Sequence, residues 1–128
     1  MMAEVFGESN EPLGDAYLDA LLRQEDFWAV AALADGEVVG GLTAHTLPMT
    51  RSESAELFIY DVAVRANWQR QGVGRQLVVA LRDIAARAGI ADVFVPAETE
   101  DVHALDFYRA LGGEPMPVVM FTFSGPPR

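Results

Sequence analysis

Apolar and polar positions change their period several times along the chain, and each change marks an element. Leu13, Tyr17, Leu18, Leu21 and Leu22 recur at helical spacing with Asp15, Asp19 and Arg23 between them, which predicts a short amphipathic helix over residues 13–24. Residues 27–33 and 37–47 follow as two strands joined at Asp35-Gly36, a pair that tolerates positive φ and therefore signals a hairpin. Gly40-Gly41 inside the second strand predicts a bulge or a close neighbour, and Pro48 ends it. Residues 57–64, Leu-Phe-Ile-Tyr-Asp-Val-Ala-Val, read as a mostly buried strand. Val73, Leu77, Ala80, Leu81, Ile84 and Ala88 then recur at helical spacing, with Arg75, Gln76, Arg82, Asp83 and Arg87 on the other side. Residues 92–96 predict the next strand, parallel to 57–64 because a helix joins the two. A last helix over 102–111 stops at Gly112-Gly113, and residues 118–123 predict a terminal strand.

Composition bounds what this pattern can be. A chain of 128 residues, 51% hydrophobic and 22% charged, is expected to fold as one domain over 1–128. No apolar run approaches the roughly 18 residues of a membrane span, and no leader opens the sequence, so a cytoplasmic location is the default expectation. The absence of cysteine excludes disulfides and thiolate nucleophiles, and two histidines argue against a His-rich metal site, so no metal is expected. A net charge of −10 argues against a nucleic-acid partner and for cationic ones. Against that background Arg65, Arg70, Arg75, Arg82 and Arg87 make one locally positive segment.

That segment contains Gln69-Arg70-Gln71-Gly72-Val73-Gly74-Arg75, a glycine-punctuated turn between strand and helix. The first turn of a helix leaves N–H groups without intrahelical partners, and Gly72 and Gly74 remove side chains that would hold a phosphate away. Taken alone, the two glycines serve equally to shape a tight turn. The loop lacks the Gly-Lys-Ser/Thr ending of a Walker motif and the third glycine of the dinucleotide fingerprint. Residues 69–74 resemble the Gln/Arg-x-x-Gly-x-Gly/Ala signature of the GNAT N-acetyltransferase superfamily. Residues 104–112, Ala-Leu-Asp-Phe-Tyr-Arg-Ala-Leu-Gly, resemble its late helix, in which a tyrosine precedes a Leu-Gly stop. Within the superfamily, residues 59–64 and 70–72, with Phe27–Ala32 and Val38-Val39-Gly40 upstream, are similar to the aminoglycoside 3-N-acetyltransferases of the gentamicin-modifying type.

The resemblance implies an α/β fold with a mixed sheet whose two central parallel strands splay apart. Acetyl-CoA would enter there as the acyl donor, its pantetheine arm against the backbone of Val62, Ala63 and Val64. Its pyrophosphate would lie on Gln69, Arg70, Gln71, Gly72, Val73, Gly74 and Arg75. A backbone N–H freed by a bulge near Asp61 would polarise the thioester oxygen. Tyr108 is the implied acid for the departing thiolate; its plain alternative is a packed helix tyrosine. Asp61 stands in an apolar run where a carboxylate is costly to bury alone, so it either closes a backbone kink or faces a cleft that receives a cation. In related enzymes the matching aspartate lies beside the acceptor amine, with Tyr60 next to it. Glu98, Glu100 and Asp101 are either solvated surface or a grip on further ammonium groups, and Asp101 also suits the cap of the last helix.

Two departures matter. Phe58 stands where histone-modifying members carry a glutamate base, and Met120 and Thr122 stand where the aminoglycoside subfamily carries a histidine and an aspartate. On the resemblance the chain also begins inside the first helix, so the first strand is missing. Residues 27–33 become a sheet edge that invites a second copy, and a homodimer stays open. The implied function is acetyl-CoA-dependent N-acetylation of a cationic small-molecule amine, an aminoglycoside at its 3-amino group. A polyamine or diamine acetyltransferase, and a catalytically impaired acyl-CoA-binding module, are the alternatives. Without cysteine, the transfer must be direct.

Overall fold

The computed structural model describes residues 1–6 and 12–127. They divide into two compact units, Met1–Pro96 and Ala97–Arg128, each described in turn. The first holds α1 (Met2–Val5), α2 (Asp15–Leu22), β1 (Phe27–Ala34), β2 (Glu37–Pro48), β3 (Ala55–Val64), a 3-10 turn (Ala66–Trp68), α3 (Val73–Arg87) and β4 (Val93–Phe94). The second holds α4 (Val102–Ala110) and the segment after it. No helix among the described residues is long and apolar enough to cross a membrane.

The four strands form one sheet in the order β1-β2-β3-β4, with β1/β2 and β2/β3 antiparallel and β3/β4 parallel. The expected hairpin turns at Asp35 and Gly36, both at positive φ (50° and 80°), and closes on the Ala34–Glu37 pair. At the other end of the order, β4 follows α3 and lies parallel to β3, the crossover that a strand-helix-strand unit requires. Among the described residues β1 is one edge of the sheet and β4 the other.

The core lies between the sheet and α3. Leu42 and Ala44 of β2, Leu57 and Ile59 of β3, and Leu77, Val78, Leu81 and Ala85 of α3 are buried. Side chains of this size contribute on the order of 1.5–3 kcal/mol each when fully buried, alanine less. Gly40 decides how closely the helix sits. A Cβ there would lie 2.9 Å from Val73 Cγ1, 3.2 Å from the Ala63 carbonyl oxygen and 3.3 Å from Leu77 Cδ1. On the opposite face a Cβ at Gly41 would meet Met1 Cε at 3.1 Å and Met2 Cε at 3.4 Å, so the α1 segment lies over that side of β2. The close neighbour predicted from Gly40-Gly41 is thus a helix on each face.

Three expectations are corrected. The helix expected over 13–24 runs only from Asp15 to Leu22 and fully buries no residue; Leu13, Tyr17 and Leu22 stay exposed and Leu21 is half-buried, so α2 packs only lightly. The strand expected over 92–96 contracts to Val93–Phe94, although the Asp92 carbonyl still accepts from Leu57 N–H at 2.9 Å, and Pro96 brings no N–H to continue a ladder. Residues 118–123 form no strand. Their β-branched and aromatic side chains suit one, but a strand needs a partner, and among the described residues none pairs with them; Val118, Val119, Met120, Phe121 and Phe123 are exposed.

The Gly40 contact yields a stability prediction. Gly40→Ala is expected to lift the first turn of α3 and cost about 1–3 kcal/mol, the range for overpacking. Thermal melting beside the parent checks this: an unchanged midpoint would mean that the helix does not rest on the glycine.

Candidate active site

The site begins with an irregularity in β3. Its register against β2 steps from Thr43–Asp61 to Ala44–Ile59, leaving Tyr60 as the extra residue of a bulge. Phe58 pairs with His45 and Asp61 with Thr43, and His45 and Thr43 are two residues apart on β2. Phe58 and Asp61 therefore share a face, although strict alternation would place residues three apart on opposite faces. That face is the one away from α3, since Gly40, Leu42 and Ala44 alternate with Gly41, Thr43 and His45. The bulge turns the Asp61 carboxylate out of the core, which answers how an aspartate persists in so apolar a strand; it is half-buried there.

Around Asp61 the same bulge assembles a row of rings. Phe27 lies 5.3 Å from His45, His45 6.0 Å from Tyr60, Tyr60 5.9 Å from Phe58, and Phe58 5.1 Å from Phe94, all between ring centroids. Tyr60 meets both of its neighbours edge to face, the geometry favoured by the ring quadrupole. The row draws on all four strands, and Tyr60 is 63% exposed. His45 is a packing partner in this row. The row was not legible from sequence, because the register that brings its members together depends on the bulge; only the aromatic content of the strand segments hints at it.

On its other side β3 is mostly open. Only Leu57 and Phe58 pair with β4, while β3 itself continues to Val64. Past Phe58 no further β3–β4 pair forms among the described residues, so the two parallel strands have parted beside Val62, Ala63 and Val64. The fork leads directly into the glycine loop. Gln69 Nε2 donates to the Val64 carbonyl at 2.9 Å and Gln71 Nε2 to the Asn67 carbonyl at 3.1 Å, folding the loop back on the end of the strand.

Arg70 is at φ 62° and Gly72 at φ 85°, two left-handed positions of the kind from which backbone anion nests are built. Gly72 is the N-cap of α3 and no side chain caps that end, so the first-turn N–H groups at Val73 and Gly74 point out of the helix without intrahelical partners. A Cβ built at Gly72 would meet nothing within 4 Å, so the nest is open. Backbone donors at the positive end of a 15-residue helix, flanked by Arg70 and Arg75, fit a pyrophosphate. The structure thus places Asp61, Tyr60, residues 62–64 and the loop 69–75 in one continuous stretch of chain on the first unit.

The remaining candidates lie in the second unit. Asp101 is the N-cap of α4, its Oδ1 accepting from Ala104 N–H at 3.1 Å, the capping role that its position allowed. Glu98 and Glu100 use their carbonyls in the same turn, accepting from the N–H groups of Asp101 and Val102 at 3.0 Å each. Tyr108 lies on α4 with its ring 5.0 Å from that of Phe107. Burial, and secondarily the Asp101 carboxylate, push its phenol above the ordinary value of 10.0, so the hydroxyl keeps its proton throughout the neutral range.

Comparison with known proteins agrees with this geometry. Residues 2–112 match the model of the acetyltransferase (GNAT) family. An aminoglycoside N(6')-acetyltransferase type 1 from Stenotrophomonas maltophilia is 30% identical over 110 residues, 84% of this chain and 71% of that protein. The crystal structure of an aminoglycoside acetyltransferase from an uncultured soil metagenomic sample, in complex with sisomicin, is 37% identical with a TM-score of 0.91, covering 98% of this chain and 84% of that one. The crystal structure of a second such enzyme, also from an uncultured soil sample, is 36% identical with a TM-score of 0.88, covering 97% and 85%. With its forked parallel strands and open glycine loop, the chain belongs to the GNAT acetyltransferase family and is an N-acetyltransferase.

Proposed function

We propose that this N-acetyltransferase takes its acyl group from acetyl-CoA and delivers it to an amino group of an aminoglycoside. The observation that carries the reading is the fork between β3 and β4, which opens beside an outward-facing Asp61 and ends in an uncapped helix N-terminus. Acetyl-CoA supplies an activated thioester and a polyanionic handle. The N–H groups of the loop 69–75 would hold that handle, and the open backbone edge of Val62, Ala63 and Val64 would align the arm. Fixing both reactants in this way is worth roughly 7–11 kcal/mol of a bimolecular barrier.

The face around Asp61 favours an amine carried on a ring. A carboxylate beside the exposed Tyr60 ring suits a cation attached to a sugar-like C–H surface, with the carboxylate orienting the ammonium and accepting its proton. Tyr108 keeps its phenolic proton, the state required of a group that protonates a leaving thiolate. The relatives named as aminoglycoside acetyltransferases support this substrate class. For the acceptor position our reading is the 3-amino group, from the resemblance of residues 59–64 and 70–72. The 6'-amino group is the second reading, favoured by the name of the Stenotrophomonas relative. Tyr60 and Asp61 would also serve a small diamine, and the alternative outside catalysis is an acyl-CoA-binding module.

One panel separates these readings: acetyl-CoA turnover with gentamicin, kanamycin, spermidine and no acceptor, followed by NMR of the product. Turnover on the aminoglycosides with acetylation at the 3-amino group is expected. Acetylation at the 6'-amino group would correct the position, spermidine as the preferred acceptor would correct the substrate class, and CoA binding without turnover on any amine would leave only the binding module.

Asp61→Asn keeps the size of the side chain and removes its charge and basicity. It is expected to lower turnover roughly 10²–10⁴-fold with CoA affinity unchanged, the range for a lost general base. Near-parent activity in a variant that melts like the parent would end the case for this carboxylate. Tyr108→Phe should reduce turnover when chemistry is limiting. Because the phenol must be protonated and its pKa lies above 10.0, activity that depends on it is lost only as pH rises beyond that value. A basic limb below about pH 9 that disappears in Tyr108→Phe would contradict this assignment.

A further inference from the structure

Arg65 is the residue at which β3 ends and the glycine loop begins, and its polar groups reach three elements, β2, the 3-10 turn and α1. Its N–H donates to the Val39 carbonyl at 2.8 Å, adding a rung beyond the Gly40–Val64 pair. Its carbonyl accepts from Trp68 N–H at 2.8 Å and so closes the 3-10 turn. Its guanidinium reaches two carboxylates: Nε lies 3.2 Å from Glu4 Oε2 on α1, and Nη1 lies 3.8 Å from Glu37 Oε2 at the start of β2. Nε is buried and out of line for a hydrogen bond, so charge alone holds it against Glu4. The loop that follows folds back on the preceding residue, because Gln69 Nε2 donates to the Val64 carbonyl.

From this arrangement we propose that Arg65 is a positioning residue of the acetyl-CoA site, and that Glu4, Arg65 and Glu37 form a brace that sets the direction in which the chain leaves β3. That direction fixes where Gly72 and the first turn of α3 present their N–H groups, so α1 becomes part of the support of the cofactor site. The inference rests on the acetyl-CoA reading above. The brace adds little to overall stability, since Glu4 and Glu37 are 66% and 77% exposed and ion pairs so exposed are weak. Its effect belongs in the geometry of the loop and reads out as cofactor affinity.

The test compares the parent chain with Arg65→Gln, Arg65→Lys, Glu4→Gln and the Arg65→Gln/Glu4→Gln double variant, using calorimetry with CoA and steady-state kinetics. Arg65→Gln is expected to raise the CoA Kd and the acetyl-CoA KM about tenfold while kcat at saturation stays within about twofold. Arg65→Lys should restore part of the affinity. Glu4→Gln should weaken binding in the same direction, and the double variant should bind no worse than Arg65→Gln alone, the non-additivity expected of one coupled unit. Tighter binding in Glu4→Gln would overturn the brace and make Arg65 a direct phosphate ligand that Glu4 competes for, and unchanged binding would overturn the brace outright. A Kd within about twofold of the parent in Arg65→Gln, or a loss of melting temperature with KM and kcat unmoved, would overturn it as well. A parent chain that binds no CoA would instead sink the acetyl-CoA reading, and this inference with it.

Discussion

The contact of α3 with the sheet at Gly40 constrains both the core and the loop. Val73, whose Cγ1 would be 2.9 Å from any Cβ at position 40, is the first residue of the helix and follows directly on the Gly72 turn. Leu77, one turn on, is buried in the core. The absence of one methyl group on β2 therefore lets the helix descend far enough to bury Leu77 and Leu81, and the same descent sets the height at which the helix N-terminus meets the fork. Core packing and the seat of the glycine turn are here one quantity, because side chains in close-packed interiors transmit a displacement to their neighbours.

The bulge at Tyr60 does for the other face what Gly40 does for this one. A regular strand from Leu57 to Val64 would have assigned Phe58 and Asp61 to opposite sides, so either the phenylalanine or the aspartate would have met the core under α3. The inserted residue lets Leu57 and Ile59 face α3 while Asp61 and its aromatic neighbours face away. An ionisable group is thereby carried by the same strand that lines a fully apolar layer, and turned away from it.

Elements held together by local chemistry were legible in the sequence. The Asp35-Gly36 turn, the amphipathic α3 and the residues 69–75 announce themselves through backbone preference, period and glycine spacing, and each formed where expected. Features that depend on partners distant in the chain were not. Nothing around Arg65 reports that Glu4 and Glu37 converge on it, since the convergence follows from the sheet register and the seat of α1. Residues 118–123 show the converse failure: a sequence with every local property of a strand stays irregular where no ladder is available to it.

The unequal pairing of the two ladders on β3 also has a meaning in time. On the β2 side the register runs unbroken except at the bulge from Gly40–Val64 to Pro48–Ala55, whereas on the β4 side it consists of Leu57–Val93 and Phe58–Phe94. Short ladders open locally at far lower free energy than long ones, so amide protons at β4 exchange through small fluctuations that leave β2 and β3 undisturbed. The fork is thus the place where the sheet opens at least cost, and opening it there leaves the core between β2, β3 and α3 packed.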